Sequence, residues 1–200
     1  MLLFYLFFLG FAVGLSGVLI PGPLLVYTVS ETLRKGFVGH IIISAHVLIE
    51  IFVVILLTLG LRPLIASPLL QQIVEVTGGI ALLLTGFYLL YLASKKAEIA
   101  PSGVRYTPFL GGLIFTALNP TFPAWWVTVG SAIVFESMKL AGMAGIALMM
   151  VGHWTGDISW YSFISYTVAK TRKFLDIKKY RAVMAAMAFV LILIGLHFLL

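Results

Sequence analysis

Six apolar runs, about residues 2–33, 37–61, 72–93, 107–138, 140–168 and 182–200, occupy nearly all of this 200-residue chain and leave no stretch from which to build a soluble domain. A helix needs about 20 apolar residues to cross the hydrocarbon core of a bilayer, and each run supplies roughly that length. Only 10% of the residues are charged and 62% are hydrophobic, which excludes an ordinary water-soluble globule. The chain therefore reads as an all-α membrane protein, one domain over residues 1–200 with six transmembrane helices. The opening "MLLFYLFFLGFAVGLSG" lacks the basic start of a signal peptide and is expected to stay as the first span.

The 13 lysines and arginines fix the orientation of those spans. Threading six spans alternately puts Arg34, Lys35, Lys95, Lys96, Arg105, Lys170, Arg172, Lys173, Lys178, Lys179 and Arg181 on one side, and only Arg62 and Lys139 on the other. Basic residues concentrate in cytoplasmic loops, so both termini are expected outside a cytoplasmic (inner) cell membrane. The net charge of +6 then records topology and, in the loop "KTRKFLDIKKYR", contact with anionic lipid; it does not point to nucleic acid. The chain has no cysteine, which excludes disulfides, thiolate metal sites and thiol redox relays.

Against this background two pairs of polar residues stand out. His46 and Glu50 lie in the second run and His153 and Asp157 in the fifth, each pair four residues apart and so on one helix face. An ionised side chain at the bilayer centre costs about 2.5–3.5 kcal/mol even on insertion scales, so neither pair is expected to face lipid. Buried intramembrane groups of this kind mark substrate, ion or proton pathways unless they are satisfied locally as structural hydrogen-bond partners.

The two pairs also belong to a longer correspondence. Glu31, Gly36, Gly39, His46 and Glu50 align with Glu136, Gly142, Gly145, His153 and Asp157 at offsets of 105 to 107 residues. The spacing predicts two three-helix repeats, about 1–93 and 107–200, and an odd number of spans before the second copy makes them inverted. The first and fourth runs carry matching interruptions, Pro21, Gly22 and Pro23 in one and Asn119, Pro120 and Pro123 in the other. Proline removes a backbone donor and clashes with the preceding turn, so both helices are expected to break there. Backbone groups freed inside a membrane are tolerated only where protein or a watery cavity meets them, and paired breaks of this kind point to a transporter's binding site.

The residues "SGVLIPGPLLVYTVSETLRKGFVGH", "TALNP" and "GDISWYSFISYTVAKTRKFL" resemble those of the LysE-type translocators, the amino-acid exporters of the lysine exporter superfamily. Pro21, Gly22, Pro23, Asn119, Pro120 and Asp157 fall on the motif positions of that family. Thr121 stands where the family often carries a lysine. The resemblance implies a secondary transporter that exports amino acids or related amines, with an amino acid and protons as its partners.

The site expected from these readings comprises His46, Glu50, His153, Asp157 and Asn119, lined by the breaks at Pro21, Gly22, Pro23, Pro120 and Pro123, with Trp154 and Tyr161 as weaker candidates near the acid of the fifth run. The alternative is a permease for a divalent metal or other inorganic cation, because two imidazoles and two carboxylates suit a first-row metal. No resident metal and no cofactor is assigned, and no nucleophile and base arrangement marks an enzyme. A homodimer is open to such a chain. Gly10 with Gly14, Ala141 with Gly145, and Gly152 with Gly156 are small residues four apart, as close helix packing requires. Trp125 and Trp126 read as interfacial or packing aromatics, and Glu75 as a solvated group at the outer surface.

Overall fold

The computed structural model describes residues 1–19, 22–61, 67–94, 107–174 and 177–200. Among these residues there are helices and no strand. In chain order they are α1 (Leu2–Val18), α2 (Pro23–Lys35), α3 (Gly39–Thr58), α4 (Pro68–Ser94), α5 (Pro108–Ala117), α6 (Thr121–Trp125), a π-helical turn (Trp126–Gly130), α7 (Ser131–Thr171), a 3₁₀ turn (Arg172–Phe174) and α8 (Ile177–Leu199).

The apolar first run forms two helices, α1 and α2, which meet at 79°. Gly22 is extended, at φ −146°, and Pro23 opens α2 at a position whose missing N–H deprives the helix of nothing. Pro21 lies outside the described residues. The fourth run likewise ends one helix at Ala117 and begins the next at Thr121. Asn119 Oδ1 accepts from the Thr121 amide at 3.2 Å and from its hydroxyl at 2.8 Å, a local side-chain turn that starts α6. Pro123 falls in the first turn of α6, where a proline costs no backbone bond.

From Thr121 to Phe174 the backbone is helical for 54 residues, about 80 Å at 1.5 Å per residue and far more than the roughly 30 Å of a bilayer core. It does not run straight. Ala141 (φ −149°, ψ 21°) and Gly142 (φ 60°, ψ −148°) leave the helical region inside α7, and the chain folds back so that Gly145 sits against the Ser137 carbonyl. Gly36, between α2 and α3, has nearly the same backbone as Gly142, at φ 93° and ψ −151°. Only glycine occupies this region readily.

Along α1 the buried residues Leu6, Gly10, Gly14 and Val18 recur every four positions, and this stripe packs along α7. The crossing is close because both sides are glycine. A Cβ on Gly10 would overlap the Met149 carbonyl, and one on Gly152 would overlap that of Phe7. Helix α5 packs along α3, α3 also packs on α7, and α4 pairs with α8. One apolar cluster joins Leu6, Leu57, Trp126, Val134 and Met149, and another joins Leu82, Ala188 and Leu191. Phe4, Phe52, Phe87, Phe163 and Phe189 point outward, the surface expected of a protein dissolved in lipid. Besides the 54-residue stretch, Gly39–Thr58 and Arg181–Leu199 are long and apolar enough to cross a membrane, as is the bent pair α1–α2 taken together.

A buried hydroxyl pins the corner between α2 and α3 to α7. Ser165 Oγ accepts from the amides of Val38 at 3.1 Å and Gly39 at 2.9 Å, and lies 2.9 Å from Thr32 Oγ1. Nearby, Glu31 is buried and held by Arg34 and Lys35, with closest contacts of 2.6 Å to each.

Candidate functional site

Helix α3 is buried on the face that carries Ile42, His46, Glu50, Val53 and Leu57. Its period carries His46 and Glu50 inward together, as the spacing of four requires. On α7 the buried face includes Met149, Gly152, His153, Gly156 and Asp157. Because Gly152 and Gly156 admit α1 at backbone contact, the polar groups of α7 are enclosed between α1 and α3. His46, Glu50, His153 and Asp157 are all buried, Asp157 completely.

These four side chains meet across the two helices. His153 Nε2 lies 3.1 Å from Glu50 Oε1 and 3.3 Å from Asp157 Oδ2. His46 Nε2 lies 3.1 Å from the same Glu50 oxygen, so one carboxylate oxygen faces two imidazoles. The other ring nitrogen of His46, Nδ1, is 3.1 Å from Thr116 Oγ1 at the end of α5. Glu50 Oε2, both Asp157 oxygens and His153 Nδ1 are buried and have no hydrogen-bond partner among the described residues. Such groups cost about 1–3 kcal/mol each when left unmet, more when charged.

The cluster borders a cavity of about 70 Å³. Its lining includes the starts of two helices, through Gly22 and Leu24 at α2 and Asn119 and Thr121 at α6. Phe122, Trp125, Trp126 and Tyr161 supply aromatic walls, and Gly14 and Gly17 leave the room. Trp125 and Trp126 lie 5.3 and 5.7 Å from the His153 ring, centroid to centroid, and Phe122 meets His46 edge-on at 5.4 Å. No lysine or arginine is among the described residues that line it.

Of the residues singled out in the sequence, His46, Glu50, His153, Asp157, Asn119, Gly22 and Tyr161 border this cavity. Pro23, Pro120 and Pro123 sit at the helix starts without lining it, and Trp154 packs instead beside the cluster of Leu6 and Met149. Trp125 and Trp126 are brought into the wall, although their position in an apolar run reads as packing or interface. Trp126 is 1% exposed and belongs to the interior. The π-helical turn aims them: its extra residue re-registers the helix, and Gly130 lets the Trp126 ring lie back over the turn, since a Cβ there would come within 2.5 Å of it. Thr116 and Phe122 carry no signal in the sequence beyond a polar or aromatic residue near Asn-Pro.

A chain with this arrangement can hold a small cation between two carboxylates and two imidazoles, beside aromatic walls. Residues 15–200 match the family model of the LysE type translocator. No curated protein and no solved structure matches the chain.

Proposed function

The chain belongs to the LysE type translocator family, a family of membrane transport proteins, and from that premise we propose that it exports amino acids or closely related amines across the cytoplasmic membrane in exchange for protons. The observation that carries this reading is the meeting of His46 and Glu50 with His153 and Asp157 at one cavity beside the starts of α2 and α6. Six spans arranged as two inverted three-helix repeats account for it. Gly36 and Gly142, matched in the sequence, share one glycine-only backbone conformation, which supports the repeat. So does the reciprocal packing of α1 on α7 and α5 on α3, in which the first helix of each half lies on the acid-bearing helix of the other.

In this reading Glu50 and Asp157 take the substrate ammonium or the coupling proton, and the amides opening α2 meet the substrate carboxylate. The two halves rock about the site and expose it to each side in turn. A proton moving through 100 mV supplies about 2.3 kcal/mol, enough to sustain an approximately fifty-fold substrate gradient. The described lining residues carry two carboxylates and no lysine or arginine, which favours a cationic group over an anion there.

Purified protein in vesicles preloaded with a labelled amino-acid mixture tests the reading. An inward proton gradient is expected to accelerate loss of at least one amino acid over protein-free vesicles. Retention of every amino acid at the protein-free rate would overturn it.

A further inference from the structure

Two carboxylates and two imidazoles converge, and Glu50 Oε2 and both Asp157 oxygens make no hydrogen bond among the described residues. We propose that His46 Nε2, Glu50, His153 Nε2 and Asp157 form a site for one first-row divalent cation of the Zn²⁺ or Co²⁺ type. The proposal does not depend on what the chain exports.

Geometry carries it first. The ligand atoms that His46, Glu50 and Asp157 offer all lie within 4.8 Å of one another. His153 Nε2 is not one of that group; it lies 3.1 Å from Glu50 and 3.3 Å from Asp157 and becomes a fourth donor only by moving toward the ion. Donors around one tetrahedral Zn²⁺, with bonds of about 2.0–2.2 Å, stand roughly 3.4 Å apart, so modest side-chain adjustment closes the set. Two ionised carboxylates and one divalent ion sum to zero charge, the condition a water-poor interior favours. Glu50 Oε2 and both Asp157 oxygens are the buried acceptors for which such an ion provides a partner.

Donor chemistry selects the class of ion. Two imidazoles and two carboxylates suit first-row transition metals, whereas Ca²⁺ and Mg²⁺ take mainly oxygen ligands. A metal-bound imidazole is oriented by a partner on its other nitrogen; Thr116 Oγ1 stands 3.1 Å from His46 Nδ1, whereas His153 Nδ1 has no hydrogen-bond partner among the described residues. A hydroxyl both donates and accepts, so Thr116 serves the tautomer in which Nε2–H faces Glu50 and also the one in which Nε2 is free to bind metal. The cavity of about 70 Å³ has room for the ion and a water or two.

The test uses the full-length detergent-solubilised chain, free of any histidine tag, titrated with Co²⁺ and then Zn²⁺. One Co²⁺ per chain, with the intense visible absorption of a low-coordinate site and displacement by Zn²⁺, is expected. His46→Ala and His153→Ala abolish that absorption. Thr116→Val and Asp157→Asn, which keep side-chain shape, cover the case in which the histidine variants do not fold; Thr116→Val weakens binding about 10- to 100-fold. Absence of stoichiometric binding up to the millimolar range, or full-strength binding in both shape-conserving variants, would overturn the site. In vesicles, Zn²⁺ that reaches an internal zinc-sensitive dye is cargo, and Zn²⁺ that stops amino-acid efflux without entering is a competitor; either supports the site. A chain that exports amino acids but binds no Zn²⁺ overturns the metal site alone, and one that binds Zn²⁺ but exports nothing overturns the export reading alone.

Discussion

His153 Nε2 lies 3.1 Å from Glu50 Oε1, a buried contact between residues 103 positions apart in the chain. It joins α7 to α3, alongside the Ser165 and Thr116 contacts that also link the two halves. Removing Glu50 takes the carboxylate from His46 Nε2 and leaves His153 Nε2 only Asp157 Oδ2, 3.3 Å away. Glu50→Ala should therefore destabilise the protein by about 2–3 kcal/mol in reversible unfolding from mixed micelles. The double variant Glu50→Ala/His153→Ala should fall short of the summed single losses by about 0.5–2 kcal/mol. Additive losses would mean that the two groups do not interact.

Gly36 and Gly142 make a second prediction, on backbone strain. Nothing lies within 4 Å of a Cβ on Gly142, and on Gly36 only the Arg172 guanidinium does, at 3.6 Å or beyond. Alanine at either position thus meets no clash, and its penalty is conformational, about 1–3 kcal/mol at each. A melting series should give similar losses at both sites. A neutral Gly142→Ala would contradict the bend inside α7.

The crossing of α1 and α7 fails by a different route. Gly10→Val or Gly152→Val puts a side chain into a facing carbonyl, and the helices must separate. The loss should exceed the 1–3 kcal/mol of ordinary overpacking, read as a drop in folded yield and melting temperature. Wild-type melting in either variant would exclude the crossing.

Ser165 is the test of how the α2–α3 corner is held. Its two lone pairs take the Val38 and Gly39 amides, so its own hydroxyl donates to Thr32. Ser165→Ala strands two buried amides and should cost about 1–3 kcal/mol, with faster hydrogen exchange at Val38 and Gly39. Unchanged exchange there would show the corner to be held by other contacts.

The polar half of the site was legible in the sequence, because histidine and acid four apart in an apolar run can face only inward. The small-residue pairs Gly10/Gly14 and Gly152/Gly156 were legible for the same reason: the spacing states the contact. The aromatic wall was not. Trp125 and Trp126 are aimed by a π-helical turn, and no local pattern around Gly130 announces the extra residue. Glu31 and Glu136 match in sequence but differ in setting. Arg34 and Lys35 both close on buried Glu31, whereas Glu136 is half exposed and meets Lys139 only at 3.8 Å. Thr116 reaches His46 through the packing of α5 on α3, a tertiary fact that neither helix encodes alone.

In the proposed mechanism the buried acids of both halves act together in transport. Efflux of the labelled amino-acid mixture from vesicles, measured under an inward proton gradient with Glu50→Gln and Asp157→Asn proteins that keep wild-type yield and elution, tests it most directly. Each variant is expected to lose gradient-driven efflux at least tenfold. Wild-type efflux in both would contradict it.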